Sequence, residues 1–581
     1  MNLKDKLEKI CSFIFDKYGN QVAKSRKLYI HDNIFGTLQF TKFERKIINS
    51  PFLQRLTNIT QMGLAKSVYP GAVHNRFSHS LGVSHISERI YKEIIKKEED
   101  RFKKSGKEDI NTLKLAGLLH DIAHGPFSHL AEDVINSLVH FDYPQKDIDS
   151  QIYKRAGQDM RTRIAYHEYL AYHLLGTSDL KKFIESTYEK IPVDLDLIPL
   201  CITGNSYPEK DANGELSKRF ADKYKTLFIK IINGYSDSDK IDYLLRDSMF
   251  SGLPLPADID RLLSFFTIIM DERTNDYELG VSEKGARAFN LLLLSKSKMF
   301  PTVYHHHTTL ACESLLEFGI IDAIKNVKEI YSGQKISKSI WPPISCGVDL
   351  LYYTDNSLLE YLRIIDNPIS RDVVKRLNNR RHYRIIERFY TWELRRVLII
   401  PKVEFRDYVS KKKDYKELDK ELKDLWNNDR IEHEFVLNKA YKEYEKKPEA
   451  KIDQLYDLFE NREKLLDFKK EMVSKDKSIL KKLKEKLPGV EDETLIDYVI
   501  KIKINAKQKK ISEAYKQQYI KTRDKFTDEQ IILNLKDMGY AIPKSLDYQQ
   551  IIFFGLPEFV EQLRPHIQTK IEEITGIKFK R

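Results

Sequence analysis

Two imidazoles and two carboxylates of this chain stand in a pattern suited to holding a metal ion. His79 lies in PGAVHNRFSHSLGVSH, His120 and Asp121 are adjacent in LAGLLHDIAHGPFSH, and Asp239 opens DKIDYLLRD far downstream. Neighbouring side chains on a helix diverge, so an adjacent His and Asp converge only on a point at the helix side, and a metal ion is such a point. Imidazole nitrogen with carboxylate oxygen suits a borderline-to-hard divalent ion: Mn, Mg, Fe, Co, Ni or Zn. Four protein ligands on an octahedral ion leave positions for a substrate oxygen and a water, as hydrolysis requires.

Other reactive types cluster near these in sequence. His124 follows His120 by four residues, one turn along the same helix face. Gly125-Pro126 then ends that helix and His129 begins a new turn, where its imidazole either exchanges a proton near neutral pH or caps and packs. His167-Glu168 is a second imidazole–carboxylate pair, either an oriented catalytic imidazole or ordinary surface. Arg76, Lys240 and Tyr243 bring phosphate-binding chemistry: a fork, a point charge and one hydrogen bond. Without a phosphate they are an exposed charge pair and a core aromatic. His305, His306 and His307 point three ways on a helix, so one shared ion is not expected.

The elements that must position these groups are predicted to be helices. From about 42 to 330, apolar residues recur at three- and four-residue spacing, broken at Pro70-Gly71 and Gly125-Pro126. The expected fold is mainly α, divided into an N-terminal helix (1–27), a core (28–345), a small mixed α/β module (346–403), a Lys/Glu-rich helical region with one strand (404–530) and a C-terminal helical segment (531–581). YIHDNIFGTLQFT (29–41) reads as a hairpin turning at Gly36. DYVIKIKINAKQ (497–508) alternates apolar and basic residues, as a strand with a Lys-lined face does. At 581 residues at least two domains are expected.

Bulk properties narrow the classes. Lys plus Arg (98) exceed Asp plus Glu (86), a net +12 that suits nucleotide phosphates or nucleic acid through the basic region, or simply reflects solvated Lys/Glu helices. Cys11, Cys201, Cys312 and Cys346 are scattered with no CxxC, so neither a disulfide framework nor a zinc knuckle is expected, and a reducing cytoplasm fits. MNLKDKLEKICSFIF lacks an apolar signal core, and no run of about 18 apolar residues predicts a membrane span.

Together the quoted segments resemble the HD-domain deoxynucleoside triphosphate (dNTP) triphosphohydrolases over residues 30–400. The resemblance implies that His79, His120, Asp121 and Asp239 bind the metal and that His124, His129, His167 and Glu168 form the catalytic set. It implies phosphate contacts from Arg76, Lys240 and Tyr243, a 3′-hydroxyl site at Gln61 and Asp247, and a sugar pocket crowded by Met62 and Tyr243. VYHHHTTLACESLL is similar to the family's helix over the nucleotide, which would bring Tyr304 and His306 to the pocket. The animal branch has an Asp, a Gln and an Arg in a guanine-nucleotide activator site where this chain has Asn49, Gln54 and Thr57. Activation by a guanine nucleotide is therefore not expected, which leaves another regulatory nucleotide, or none; the resemblance implies that such control acts on a homodimer or homotetramer. The activity implied is cleavage of dNTPs to deoxynucleoside and inorganic triphosphate, for pool control or antiphage nucleotide depletion. The alternatives are an HD phosphodiesterase acting on a signalling nucleotide or single-stranded RNA, and a non-catalytic nucleotide sensor or nucleic-acid-binding subunit.

Overall fold

Three- and four-residue apolar spacing builds most of the chain. In the computed structural model the described residues are 3–18, 26–98, 106–140, 165–189, 191–204, 224–234, 236–254, 258–271, 276–327, 342–390, 455, 458–459, 461–505, 519–523, 530–534 and 550–575. They are mainly α-helical and form two compact units, residues 1–378 with 509–546, and residues 379–508 with 547–581.

The first unit begins with α1 (Leu3–Tyr18), which buries Leu7, Ile10, Cys11 and Ile14 as one stripe. The expected hairpin follows: β1 (Leu28–Asp32) pairs antiparallel with β2 (Gly36–Phe40), Asp32 opposite Gly36. Gly36 has φ +70°, a left-handed conformation that needs no Cβ. A Thr41–Glu44 capping box starts α2 (Lys42–Ile48), and Ser50 with Pro51 starts α3 (Pro51–Arg55).

The Asn75 side chain accepts from Ser78 N and opens α4 (Arg76–Lys97), which packs along α5 (Lys107–Leu119). The contact is close because of Gly117: a Cβ there would lie 2.8 Å from Ser84 Cα. Then come α6 (His129–His140), α7 (Tyr166–Leu175), α8 (Ser178–Tyr188), α9 (Leu197–Thr203) and α10 (Tyr224–Ile232). Asp237 caps α11 (Ser238–Ser251), which crosses α4, and α12 (Ile259–Ser264) follows. Ile86, Ile90 and Ile94 of α4, Leu115 and Leu119 of α5, Leu227 and Ile231 of α10, and Ile241 and Leu244 of α11 share one apolar core. β3 (Phe266–Asp271) and β4 (Asp276–Ser282) precede α13 (Glu283–Met299), α14 (His307–Lys325), α15 (Asp355–Ile364) and α16 (Pro368–Asn378).

Late in the chain, β7 (Tyr519–Arg523) and β8 (Gln530–Asn534) return to this unit, β7 pairing parallel with β4 through Val281 and Ile520. The second unit holds a sheet of order β5-β9-β6, built from β5 (Arg384–Tyr390), β6 (Ile500–Asn505) and β9 (Gln550–Gly555), all antiparallel. Around it lie α17 (Arg462–Ser474), α18 (Lys477–Lys486), α19 (Asp492–Val499) and α20 (Val560–Thr575). Phe459, Phe468 and Phe553 meet ring to ring, and Tyr383 donates to Tyr498 O at 2.7 Å.

Several sequence expectations change here: the segment expected to be helical over 531–581 carries β9 and most of β8, and 404–530 holds β7 besides the one strand expected. The strand predicted over 497–508 starts only at Ile500, because Asp497–Val499 complete α19, and residues 506–508 lie outside the described residues. The units divide at 378/379 rather than at 345/346 or 403/404, and the second is interrupted by 509–546. Residues 404–454 of the Lys/Glu-rich region lie outside the described residues. No helix among the described residues is long and apolar enough to cross a membrane.

Candidate active site

Helix ends and one tight turn deliver the polar groups. The first turn of α4 carries Arg76 and His79, the end of α5 runs into His120 and Asp121, and the first turn of α11 carries Asp239. His79 Nε2 stands 2.9 Å from Asp239 Oδ1, 3.2 Å from His120 Nε2 and 3.7 Å from Asp121 Oδ2. His120 Nε2 is 3.3 Å from Asp121 Oδ1 and 3.8 Å from Asp239 Oδ1. All four residues named from the sequence thus come together, across more than a hundred residues of chain.

The tautomers follow from the neighbours. Asp242 Oδ2 lies 2.6 Å from His79 Nδ1, and Gly117 O lies 2.8 Å from His120 Nδ1. Both oxygens accept only, so each Nδ1 is the donor and each Nε2 faces the cluster. Burial alone would lower the His79 imidazole, but the hydrogen bonds to Asp239 and Asp242, with the charges of Asp242 and Asp121, raise it to about 10. That basicity reports the negative potential a divalent cation would neutralise in place of the proton. With bonds of about 2.1 Å, neighbouring ligands on an octahedral ion stand about 3.0 Å apart, so His79, His120 and Asp121 could hold one divalent ion, with Asp239 Oδ1 beside the two imidazoles.

Arg76 is buried and committed within the site: Nη1 donates to Asp121 Oδ2 at 2.8 Å and Nε to Ser128 Oγ at 2.9 Å. Burial opposes ionisation of Asp121, but charge from Arg76, then His120 and His124, holds its carboxyl well below the usual carboxylate range. Ser128 and Phe127 both have positive φ, 58° and 55°, and this turn is tied down by Asp355, whose Oδ1 accepts from Phe127 N at 2.7 Å.

Beside His79, His120, Asp121 and Asp239 lies an imidazole cluster. His124 Nε2 is 3.2 Å from Asp121 Oδ1, and its ring stacks on His167 with centroids 3.9 Å apart. His129 meets His124 edge to face at 5.5 Å, and its side chain is 71% exposed. The carboxylate serving these rings is Glu132, which accepts from His167 Nδ1 and lies 3.4 Å from His129 Nδ1. Burial would lower His167, but Glu132 outweighs it and raises the imidazole to about 9. Burial and the charges of Arg76 and His167 hold His124 well below its ordinary value. Glu168, predicted to orient His167, instead accepts from Ala165 N and Asn233 Nδ2, both at 2.8 Å, and acts on His167 through charge.

The predicted substrate residues divide. Asp247 accepts from Tyr304 OH at 2.6 Å and from His74 Nε2 at 2.7 Å. Gln61 N donates to His74 O, while Gln61 Oε1 and His74 Nδ1 are buried and find no hydrogen-bond partner among the described residues. Met62 is buried beside Gln61 in the chain, and Tyr243 meets Tyr304 edge to face at 6.4 Å. The Lys240 ammonium donates to Asp237 and, at 2.8 Å, to Gly234 O, so an intramolecular carboxylate already holds it. His306 caps α14, accepting from Thr308 N at 3.2 Å, with its ring stacked on His307. Asn49, Gln54 and Thr57 make local contacts, Gln54 Nε2 donating to Ile48 O and Thr57 Oγ1 to Gln54 O. A cavity of about 810 Å³ among α5, α7, α8 and α9 is lined by none of these residues.

Sequence reasoning missed Glu132, Asp242 and His74. Two carried a signal: Glu132 lies three residues after His129 and Asp242 three after Asp239, the spacing of one helix face. His74 lies in a loop, where no periodicity marks it.

The HD domain matches residues 76–181 and the HD associated region matches 258–397. The deoxynucleoside triphosphate triphosphohydrolase SAMHD1 of Bos taurus is 28% identical over 371 residues, 61% of this chain and 58% of that protein. The SAMHD1 homolog of Dictyostelium discoideum is 26% identical over 371 residues, 63% of this chain and 60% of its own. An HD domain-containing protein of Acanthamoeba polyphaga mimivirus is 28% identical over 348 residues, 58% of this chain and 64% of its own. The chain therefore matches less than two thirds of the length of these relatives.

Proposed function

We propose that this chain, which matches the HD domain and the HD associated region and is similar to dNTP triphosphohydrolases, carries out metal-dependent hydrolysis of a dNTP to deoxynucleoside and inorganic triphosphate. What supports this best is the cluster of His79, His120 and Asp121, all buried, with the partly exposed Asp239 beside them; facing atoms lie within 3.8 Å along each contact given above, a spacing suited to one divalent ion. These four residues would hold such an ion, which would polarise a phosphoryl oxygen and make a nearby water more acidic.

The remaining roles fall to side chains of the chain. Arg76 keeps Asp121 ionised and turned to the cluster. His129 is the exposed imidazole and protonates the leaving 5′-oxygen, while Glu132 holds its Nδ1 side. His124 and His167 line the α-phosphate, and Lys240 and Tyr243 contact the outer phosphates. Gln61 Oε1 and Asp247 take the 3′-hydroxyl, with His74 and Tyr304 fixing Asp247. Met62 and Tyr243 crowd the sugar against a 2′-hydroxyl, and His306 lies toward the base. A closely packed polar site discriminates a missing or extra hydroxyl by orders of magnitude.

An unregulated dNTP hydrolase would drain precursors its own cell needs. In this reading the enzyme is a homodimer or homotetramer controlled by a nucleotide bound away from the metal. Asn49 and Thr57 make a guanine nucleotide a poor fit for that second site, and coupling of the two sites is worth about 1–3 kcal/mol. Pool control and antiphage nucleotide depletion are the two settings such control serves.

One experiment tests both levels: each dNTP and NTP, singly and in pairs, with Mn²⁺ or Mg²⁺, resolving triphosphate from pyrophosphate and phosphate while mass is measured in parallel. The expected result is triphosphate leaving as one unit, ribonucleotides cleaved poorly, and rates on one dNTP altered by a second. Stepwise phosphate release, or ATP cleaved as fast as dATP, contradicts the activity; effector-independent kinetics from a monomer contradict the control.

A further inference from the structure

A chain of buried charges runs from the N-terminal hairpin to His79. Asp32 Oδ1 accepts from Ile34 N at 2.8 Å and Phe35 N at 3.1 Å, which fixes this carboxylate in the hairpin turn. Its Oδ2 accepts from Arg246 Nη1 at 2.8 Å. Arg246 Nε and Nη2 donate to the two oxygens of Asp242 at 2.8 and 2.9 Å, and Asp242 Oδ2 accepts from His79 Nδ1 at 2.6 Å. Asp32 is 6% exposed, Arg246 1%, and Asp242 and His79 0%.

The charge count gives the arrangement a meaning. A guanidinium gripping one carboxylate with two parallel bonds is already a complete neutral pair. Adding Asp32 leaves two buried carboxylates against one guanidinium, an excess negative charge that is costly to bury unless a partner uses it. The partner in reach is the His79 ring. With Arg246 shared, Asp242 is only half neutralised and keeps charge for the Nδ1–H it accepts, which makes Nε2 a stronger electron donor toward the cluster. The relay also has no slack. A Cβ at position 82 would lie 1.8 Å from Asp242 Oδ1 and 2.6 Å from Arg246 Nη2, so Gly82 lets the fork press directly on α4.

We infer that, given His79 as a metal ligand in the reading above, Asp32 of the hairpin is a positioning residue for it, acting through Arg246 and Asp242. Mn²⁺ binding to the full chain, followed by calorimetry without substrate, tests this. Asp32→Asn keeps the size and the turn acceptor but removes the charge, and Asp32→Ser keeps a hydroxyl for the turn N–H groups. Asp349→Asn loosens the buried Lys6–Asp349 ion pair, which does not touch the relay, and controls for lost stability. Both Asp32 variants are expected to weaken Mn²⁺ binding about tenfold while still melting cooperatively, and Asp349→Asn to leave affinity unchanged. Wild-type affinity in a folded Asp32→Asn or Asp32→Ser protein overturns the inference. Failure of both variants to fold also overturns it, since Asp32 would then be structural. A wild-type chain that binds no Mn²⁺ overturns the ligand reading itself, and the wild-type titration alone tells these failures apart.

Discussion

Glu132 accepts from His167 and stands beside His129, so a single carboxylate serves two imidazoles of opposite exposure. Replacing it by Gln should lower kcat about 10²-fold with little change in KM, measured under saturating metal. The pair also makes stability depend on pH. The folded value of His167, about 9, lies above its ordinary 6.5. Its contribution is therefore fully present below about 6.5 and is lost as pH rises through about 9. Melting temperatures of wild type and Glu132→Gln should converge across that window; a constant gap would remove His167 as the titrating group. The sequence pointed to Glu168 because it adjoins His167, yet adjacent residues on a helix diverge, and Glu168 turns back to cap its own helix at Ala165. That His79, His120, Asp121 and Asp239 would meet was legible from residue type and order.

Among the described elements, the turn between α5 and α6 holds two of the three non-glycine residues with positive φ. Phe127 and Ser128 occupy left-handed backbone, at about 1–3 kcal/mol each for residues with a Cβ. Asp355, at the start of α15, holds the turn through Phe127 N and also accepts from Thr60 N at 3.0 Å and Thr60 Oγ1 at 2.7 Å. Asp355→Ala should destabilise by about 1.5–3 kcal/mol, the usual loss for buried hydrogen bonds to a charged group. Activity of the folded fraction should fall as well, because Ser128 Oγ, which accepts from Arg76, moves with the turn. Chemical denaturation beside initial rates checks this; a destabilised protein with unchanged rate would uncouple the turn from Arg76. Gly125-Pro126 announced a break here, but Phe127 and Ser128 are not residues that favour positive φ, so the strain was not readable. The hairpin was readable, since alternation and Gly36 mark it locally, whereas the role of Asp32 depends on Arg246, more than two hundred residues away.

For the whole molecule, chain order and spatial order differ. β7 and β8 lie beyond α19 and β6 in sequence yet join the sheet of β3 and β4, and β9 then returns to the other unit. Parallel pairing of Val281 with Ile520 leaves no local trace, which is why composition placed the boundaries elsewhere. His79, His120, Asp121 and Asp239 nevertheless all fall inside one unit, with α4, α5 and α11 sharing its core. The most direct test combines bound metal and product on the same samples of wild type and the His120→Ala/Asp121→Ala double variant, each supplied with Mn²⁺ and a dNTP. The account predicts one tightly held ion per wild-type chain and equal amounts of deoxynucleoside and inorganic triphosphate, with both ion and turnover lost from a variant that still folds. Triphosphate release by a metal-free variant at the wild-type rate would contradict it.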